Sequence, residues 1–256
     1  MELGLHDKVA LVTGGSRGIG RAIVETLARE GCDVLVVSRH AAADDGLRQT
    51  AQRTGRRLVP CAADLSTMQG VELAVRAAER EFGRIDILVN NAGSATRGDF
   101  LKLTDDDWQD GFALKFFGYV RMTRAAWALL KAAQGALVNI VGVSAYTPDA
   151  DYTIAASANA ALLAFTKSMA ALGQQDGVRV NAVNPGQIET DRLAGALRNM
   201  GLPEDEARAV LLKRLDITRF GKPEDIAAMV AFVVSPQAGY VQGALFNVDG
   251  GRTRGW

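Results

Sequence analysis

The sequence predicts a single α/β domain, a seven-stranded parallel, doubly wound sheet with helices on both faces. Three observations carry that expectation. Short β-branched apolar runs alternate with longer segments of helical period along the chain. The length, 256 residues, allows one sizeable core, and no linker-like stretch divides it. The first strand runs through a glycine-rich turn straight into a helix.

The strand-like runs are Val9–Thr13, Val34–Ser38, Leu58–Ala62, Ile85–Asn90, Ala136–Val141, Val178–Val183 and Ala244–Val248. Amphipathic helices are expected at Gly18–Glu30, Thr67–Phe82, Asp105–Ala133, Asp151–Gln174 and Pro223–Ser235, with Pro203 and Pro223 marking first turns. Strand and helix in alternation call for a parallel sheet covered on both faces. Residues 189–216 interrupt the rhythm with two further short helices, an insertion placed where it can shape a substrate pocket. The whole range 1–256 reads as one domain.

Composition narrows the partner. Lys plus Arg and Asp plus Glu balance at 29 each, so no net field draws in nucleic acid or an anionic membrane. The longest apolar run, Ala227–Val234, is far short of a membrane span. The charged start, Met1–Lys8, lacks the pattern of a secretory signal, and a cytoplasmic location is expected. Cys32 and Cys61 suit buried reduced thiols. His6 and His40 stand too far apart to announce a metal site. The expected partner is a small molecule.

Thr13-Gly14-Gly15-Ser16-Arg17-Gly18-Ile19-Gly20 carries the clearest chemistry. Glycines at 14, 18 and 20 let the backbone turn tightly, approach a pyrophosphate and pack the following helix on the strand, with the helix N-terminus facing the negative charge. That is the Rossmann arrangement for a dinucleotide. At the end of the second strand, a carboxylate would favour NAD(H); Ser38-Arg39 stands there instead. Arg39, with Arg17, suits a 2′-phosphate, so NADP(H) is favoured over NAD(H).

The Gly-x-x-x-Gly-x-Gly spacing resembles the short-chain dehydrogenase/reductase family, and the resemblance continues along essentially the whole chain. Asp64-Leu65 resembles the family's adenine-contacting pair, and Asn90-Asn91-Ala92-Gly93 its loop after the fourth strand. Asn184-Pro185-Gly186 with Ile188 and Thr190 resembles the loop that holds the nicotinamide carboxamide. Phe220–Asp225 and Val248–Gly251 are similar to its C-terminal signature. The resemblance also implies a homodimer or homotetramer, with the helices 105–133 and 151–174 forming a main interface.

The family's catalytic group is an Asn, a Ser, and a Tyr with a Lys four residues later. Alignment on Trp108, Val138-Asn139-Ile140 and Phe165-Thr166-Lys167-Ser168 puts Lys115, Gly142, Ala155 and Asn159 in those four slots. All four differ from the pattern, and Tyr152 cannot restore it because Ala156 lies four beyond. Neither Gly142 nor Ala155 has a proton to give. The Asn and Lys slots look exchanged, leaving one ammonium and one amide. Asn159, in the slot that touches the nicotinamide ribose, counts with the cofactor-binding residues as well.

Replacement donors are Tyr152, one turn before Ala155 and on roughly the same face, Ser144, which an extended chain returns to the face of Gly142, and Lys115, if desolvation lowers its pKa. Tyr146, Asp149 and Asp151 border the expected pocket, as does the segment 94–97. The first functional expectation is an NADP(H)-dependent oxidoreductase that moves a hydride between nicotinamide and a small carbonyl or alcohol, or a C=N or C=C bond, with a non-standard proton donor. A dinucleotide-binding sensor or scaffold without redox turnover, and a non-redox lyase or isomerase on the same fold, are the alternatives.

Overall fold

The computed structural model describes residues 2–40, 44–93 and 96–254. Seven strands, β1 (Val9–Thr13), β2 (Asp33–Ser38), β3 (Leu58–Ala62), β4 (Ile87–Asn90), β5 (Ala136–Ile140), β6 (Arg179–Pro185) and β7 (Leu245–Val248), form one sheet. Its order is β3-β2-β1-β4-β5-β6-β7 and every pairing is parallel. The order reverses between β1 and β4, which opens a crevice at the C-terminal ends of the strands, the place where such sheets bind ligands.

The helices are α1 (Gly18–Arg29), α2 (Asp45–Thr54), α3 (Met68–Phe82), α4 (Asp105–Lys115), α5 (Phe117–Ala133), α6 (Thr153–Asp176), α7 (Asp191–Arg198), α8 (Glu204–Leu215) and α9 (Pro223–Val234). They cover both faces, and alternate residues of each strand feed opposite cores. Ala10, Val12, Val34, Val36 and Val138 pack with α1 and α9. Leu11, Leu35, Val37, Leu88 and Leu137 pack with α3 and α5. Each such valine or leucine side chain removed from water contributes about 1.5–3 kcal/mol.

The architecture expected from the sequence is the one observed, with local differences. Helix α2 was not anticipated: its polar sequence hides an apolar face of Leu47 alone, and its start depends on the Asp44 carboxylate accepting from the Leu47 amide. The single helix expected over 105–133 is two, divided at Phe116 (φ −100°, ψ −61°), a position that is itself neither Gly nor Pro. The expected insertion 189–216 holds α7 and α8, which close a small core of their own around Leu193, Leu197, Leu211 and Phe220. Among the described residues, no helix is long and apolar enough to cross a membrane. Cys32 and Cys61 are buried and unpaired with each other.

Candidate active site

The turn from β1 into α1 is tied down from three sides. The Gly14 amide donates to the Val37 carbonyl (2.7 Å). The Asn91 side-chain amide donates to the carbonyls of Thr13 (2.9 Å) and Gly14 (3.2 Å), while the Thr13 hydroxyl accepts from the Asn91 and Ala92 amides. Asn91 and Ala92 therefore brace the glycine turn. A Cβ at Gly20 would overlap the Gly14 carbonyl, so only glycine lets helix and turn approach so closely. The first turn of α1 has no acidic residue, and its N-cap, Arg17, gives no side-chain cap. Unsatisfied amides at a helix N-terminus suit an anion.

Further groups frame this crevice. Ser16, Gly18 and Ile19 lie in the turn and the first residues of α1. At the end of β2 the buried Ser38 hydroxyl oxygen has no partner among the described residues, and Arg39 beyond it is exposed. Arg17 lies 3.6 Å from Asp191, both largely exposed. The Asp64 carboxylate accepts from the Ser66 amide (3.0 Å) and hydroxyl (2.7 Å), and these bonds, helped by Arg39, hold it below the usual carboxylate range. Leu65 is buried in the core beside β2 and β3.

At the other end of the crevice, the Gly186 amide donates to the Val248 carbonyl (3.0 Å), which fixes Pro185-Gly186 against β7. Buried Ile188 pairs with Gly221, and Thr190, at the N-cap position of α7, donates its hydroxyl back to the Ile188 carbonyl (3.4 Å) and makes no side-chain cap. The Thr190 methyl lies 3.3 Å from where a Cβ on Gly18 would sit, and Arg192 donates to the Gly93 carbonyl (3.1 Å). The start of α7 thus joins the glycine turn to the loop after β4. The signature segments near the C-terminus are caps: Asp225 accepts from the Lys222 amide (2.8 Å) and Arg219 (2.7 Å), and Asp249 from the Gly251 and Thr253 amides.

Between these ends lie the four aligned positions. Lys115 ends α4, its stem passing so close to Gly93 that a Cβ there would stand 2.6 Å from the Lys115 Cδ. Its ammonium donates to the carbonyls of Ile140 (2.8 Å) and Val141 (3.1 Å) and to the Tyr119 hydroxyl (3.2 Å), and that hydroxyl donates to the Ile140 carbonyl (2.9 Å). Burial, with a smaller contribution from the Arg192 guanidinium, lowers the Lys115 pKa to about 7. Gly142 has φ +136°, a conformation side chains rarely adopt, and its missing Cβ would stand 3.0 Å from the Asn159 amide nitrogen. Ala155 and Asn159 are buried on α6. The Asn159 amide donates to the Ser144 hydroxyl (2.8 Å), and the Asn159 carbonyl oxygen has no partner among the described residues.

Ser144 therefore meets the aligned positions, by a different route from the expected one. Residues 143–145 form a 3-10 turn, so the extended alternation that pointed to Ser144 does not hold. Tyr152 sits at the start of α6, its ring under the Arg97 guanidinium (4.1 Å). Arg97 donates to Asp151 (2.7 Å) and lies 3.5 Å from Asp149. Of the segment 94–97, residues 94–95 lie outside the described residues. Burial raises the pKa of the Tyr146 phenol, and the nearby Asn184 side chain opposes the rise.

Sequence reasoning placed Arg97 at the border of the pocket, within the segment 94–97, and missed three other contributors, Tyr119, Arg192 and Arg252. Tyr119, four residues after Lys115 and so on the same helix face, was open to discovery from spacing. Arg192 and Arg252 reach the site only through the fold. Also unread was the buried chain in which Asn90 donates to Thr123 and Asn139, and Asn139 to Thr166, which locks β4 and β5 to α5 and α6. Among the described residues, no group of three or more His, Cys, Asp or Glu could hold a metal ion.

The unpartnered buried oxygens of Ser38, Asn159 and Asn184, set around an uncapped helix N-terminus, fit an extended polar ligand that brings both an anion and donors. A family model described as enoyl-(acyl carrier protein) reductase matches residues 14–253. The chain is 36% identical over 250 residues to the 3-oxoacyl-(acyl-carrier-protein) reductase FabG of Vibrio cholerae, covering 97% of this chain and 98% of that protein. A crystal structure of L-sorbose reductase from Gluconobacter frateurii, complexed with NADPH and L-sorbose, superposes with a TM-score of 0.93 at 32% identity and covers all of both chains. A short-chain dehydrogenase/reductase from Serratia marcescens gives a TM-score of 0.85 at 35% identity, covering 98% of this chain and 99% of that one.

Proposed function

The chain belongs to the short-chain dehydrogenase/reductase family, an oxidoreductase family built to bind a nicotinamide dinucleotide, and from that membership we propose that it reduces a small carbonyl, C=N or C=C compound, or oxidises the matching alcohol, with NADP(H). The observation that carries the reading is the juxtaposition of the uncapped N-terminus of α1 with the Ser144–Asn159 pair and Lys115 in one crevice.

The amides opening α1 hold the pyrophosphate, and Ser38, Arg39 and Arg17 take the 2′-phosphate. Arg17 is available for this because its exposed pair with Asp191 is worth about 1 kcal/mol or less. The unpartnered Asn159 oxygen accepts from a ribose hydroxyl. When bound, the reduced cofactor supplies a hydride. Because Asn159 donates to the Ser144 oxygen, the Ser144 hydrogen is free to reach the substrate oxygen.

Lys115 is the proton reservoir, and because its direct partners are the Ile140 and Val141 carbonyls and Tyr119, its proton would reach the Ser144 hydroxyl, and through it the substrate oxygen, by way of water in the crevice. A group titrating near the working pH gives and regains protons most readily, and burial brings the ammonium to about 7. Tyr119 suits both charge states. Its hydroxyl accepts from the ammonium now, and by turning from the Ile140 carbonyl it can donate to the neutral amine.

Fluorescence titration with NADPH and NADH, followed by a panel of carbonyl, imine and enone compounds scored by loss of reduced-cofactor absorbance, tests the proposal. Tighter binding of NADPH and turnover of at least one compound are expected. Tight binding without turnover across a broad panel would contradict the oxidoreductase reading in favour of a sensor, scaffold or non-redox enzyme, and equal or tighter NADH binding would contradict the cofactor choice.

A further inference from the structure

An open cavity of about 510 Å3 lies between the 143–152 segment, the end of α8 and the chain after β7, lined by Arg97, Thr147, Asp149, Asp151, Arg214 and Arg252. It borders the aligned positions. The Thr147 hydroxyl donates to the carbonyl of Val143, next to Gly142 (3.1 Å). Tyr152, which carries the Arg97 guanidinium on its ring, opens the helix that holds Ala155 and Asn159.

Three guanidiniums meet two carboxylates there, leaving one positive charge over. Asp151 is taken by Arg97 at 2.7 Å, and Asp149 stands 3.5 Å from Arg97 and 3.8 Å from Arg252. The Arg252 side chain is only 13% exposed, and that 3.8 Å approach is its closest charged partner among the described residues. A guanidinium stays charged and carries five donors in a planar fork. Largely enclosed and with one long ion pair, it carries donors that lack a close side-chain acceptor among the described residues. The position is also built. Asp249 accepts from the amides of Gly251 (3.0 Å) and Thr253 (2.8 Å), which fixes the backbone on both sides of Arg252. Arg214, exposed at the end of α8, adds a second positive charge to the same wall.

We infer that the cavity holds the carboxylate of an oxo-acid or hydroxy-acid substrate, with Arg252 as its fork-shaped partner and Arg214 as its second charge. One carboxylate neutralises the excess charge and gives the Arg252 donors the acceptors they lack. This inference rests on the reading of the same site as a reductase. It narrows the substrate from any small carbonyl compound to one that carries an acid group beyond the reacting carbon.

Calorimetric titration of the protein with oxidised cofactor bound, a state in which no reduction occurs, tests it. The probes are straight-chain oxo acids of about four to eight carbons, sized to part of the cavity, their methyl esters, and inorganic phosphate. At least one acid is expected to bind about tenfold or more tightly than its ester. Arg252→Met should remove that preference and leave cofactor affinity unchanged. Arg214→Ala, at an exposed position without a packing role, should weaken acid binding about threefold. Equal binding of acid and ester across the panel, a preference that survives both substitutions, or phosphate binding tighter than every acid would overturn the inference. Acid-selective binding without turnover by reduced cofactor would instead contradict the reductase reading alone, and turnover confined to uncharged carbonyls would contradict the carboxylate alone.

Discussion

Two forces act on the Lys115 ammonium. Burial favours the neutral amine, whereas two backbone carbonyls and a phenol oxygen favour the charge. With a pKa near 7, the residue is protonated below neutrality and loses its proton above it. As the proton reservoir for reduction, it gives a rate that falls as pH rises through about 7. Lys115→Met should flatten that limb and lower kcat by about 100-fold, with little change in cofactor affinity. A pH–rate profile of the variant that keeps the same limb would rule the reservoir role out. The sequence placed Lys115, Gly142, Ala155 and Asn159 by alignment, and the structure brings Lys115 and Asn159 to the two sides of Gly142 through the carbonyls of Ile140 and Val141 and through Ser144. Arg252 was not legible, since a residue past the last strand becomes a pocket wall only when β7 joins the sheet edge.

The turn after β5 shows how an element carries what a single substitution cannot undo. Gly142 at φ +136° starts a 3-10 turn over 143–145, and the Asn159 amide occupies the side where a Cβ would point. Gly142→Ser, which would put at that slot the residue type the family resemblance implies, should therefore cost about 1–3 kcal/mol of stability and leave reduction no faster. Urea unfolding together with a turnover assay reads both, and a variant of unchanged stability with faster turnover would show that the turn tolerates the family geometry. The element boundaries that escaped sequence reading share one cause. Helix α2 and the division at Phe116 depend on a cap or on tertiary contacts rather than on an apolar period or a breaker residue, whereas α1, α3 and α9 announce themselves by periodicity, an N-cap threonine or a first-turn proline.

Over the whole molecule, the alternation of apolar strands with amphipathic helices was enough to give strand content and parallel topology, because a chain of this order has few other ways to bury both faces of its sheet. The same surfaces bear on the homodimer or homotetramer that the family resemblance implies. Phe117 on α5 and Leu172 on α6 are 46% and 40% exposed, on the helices expected to meet a second copy. Light scattering should give two or four times the 27.2 kDa chain mass, and a monomer mass would contradict the assembly. The central claim is the proposed one, that this crevice moves a hydride between nicotinamide and a small substrate. Incubation with NADPH deuterated at the transferable position of the nicotinamide, with mass spectrometry of the compounds turned over, tests it most directly. The account predicts one deuterium in the reduced product and oxidised cofactor in equal amount. Bound cofactor that keeps its deuterium in the presence of every carbonyl, imine and enone offered would contradict it.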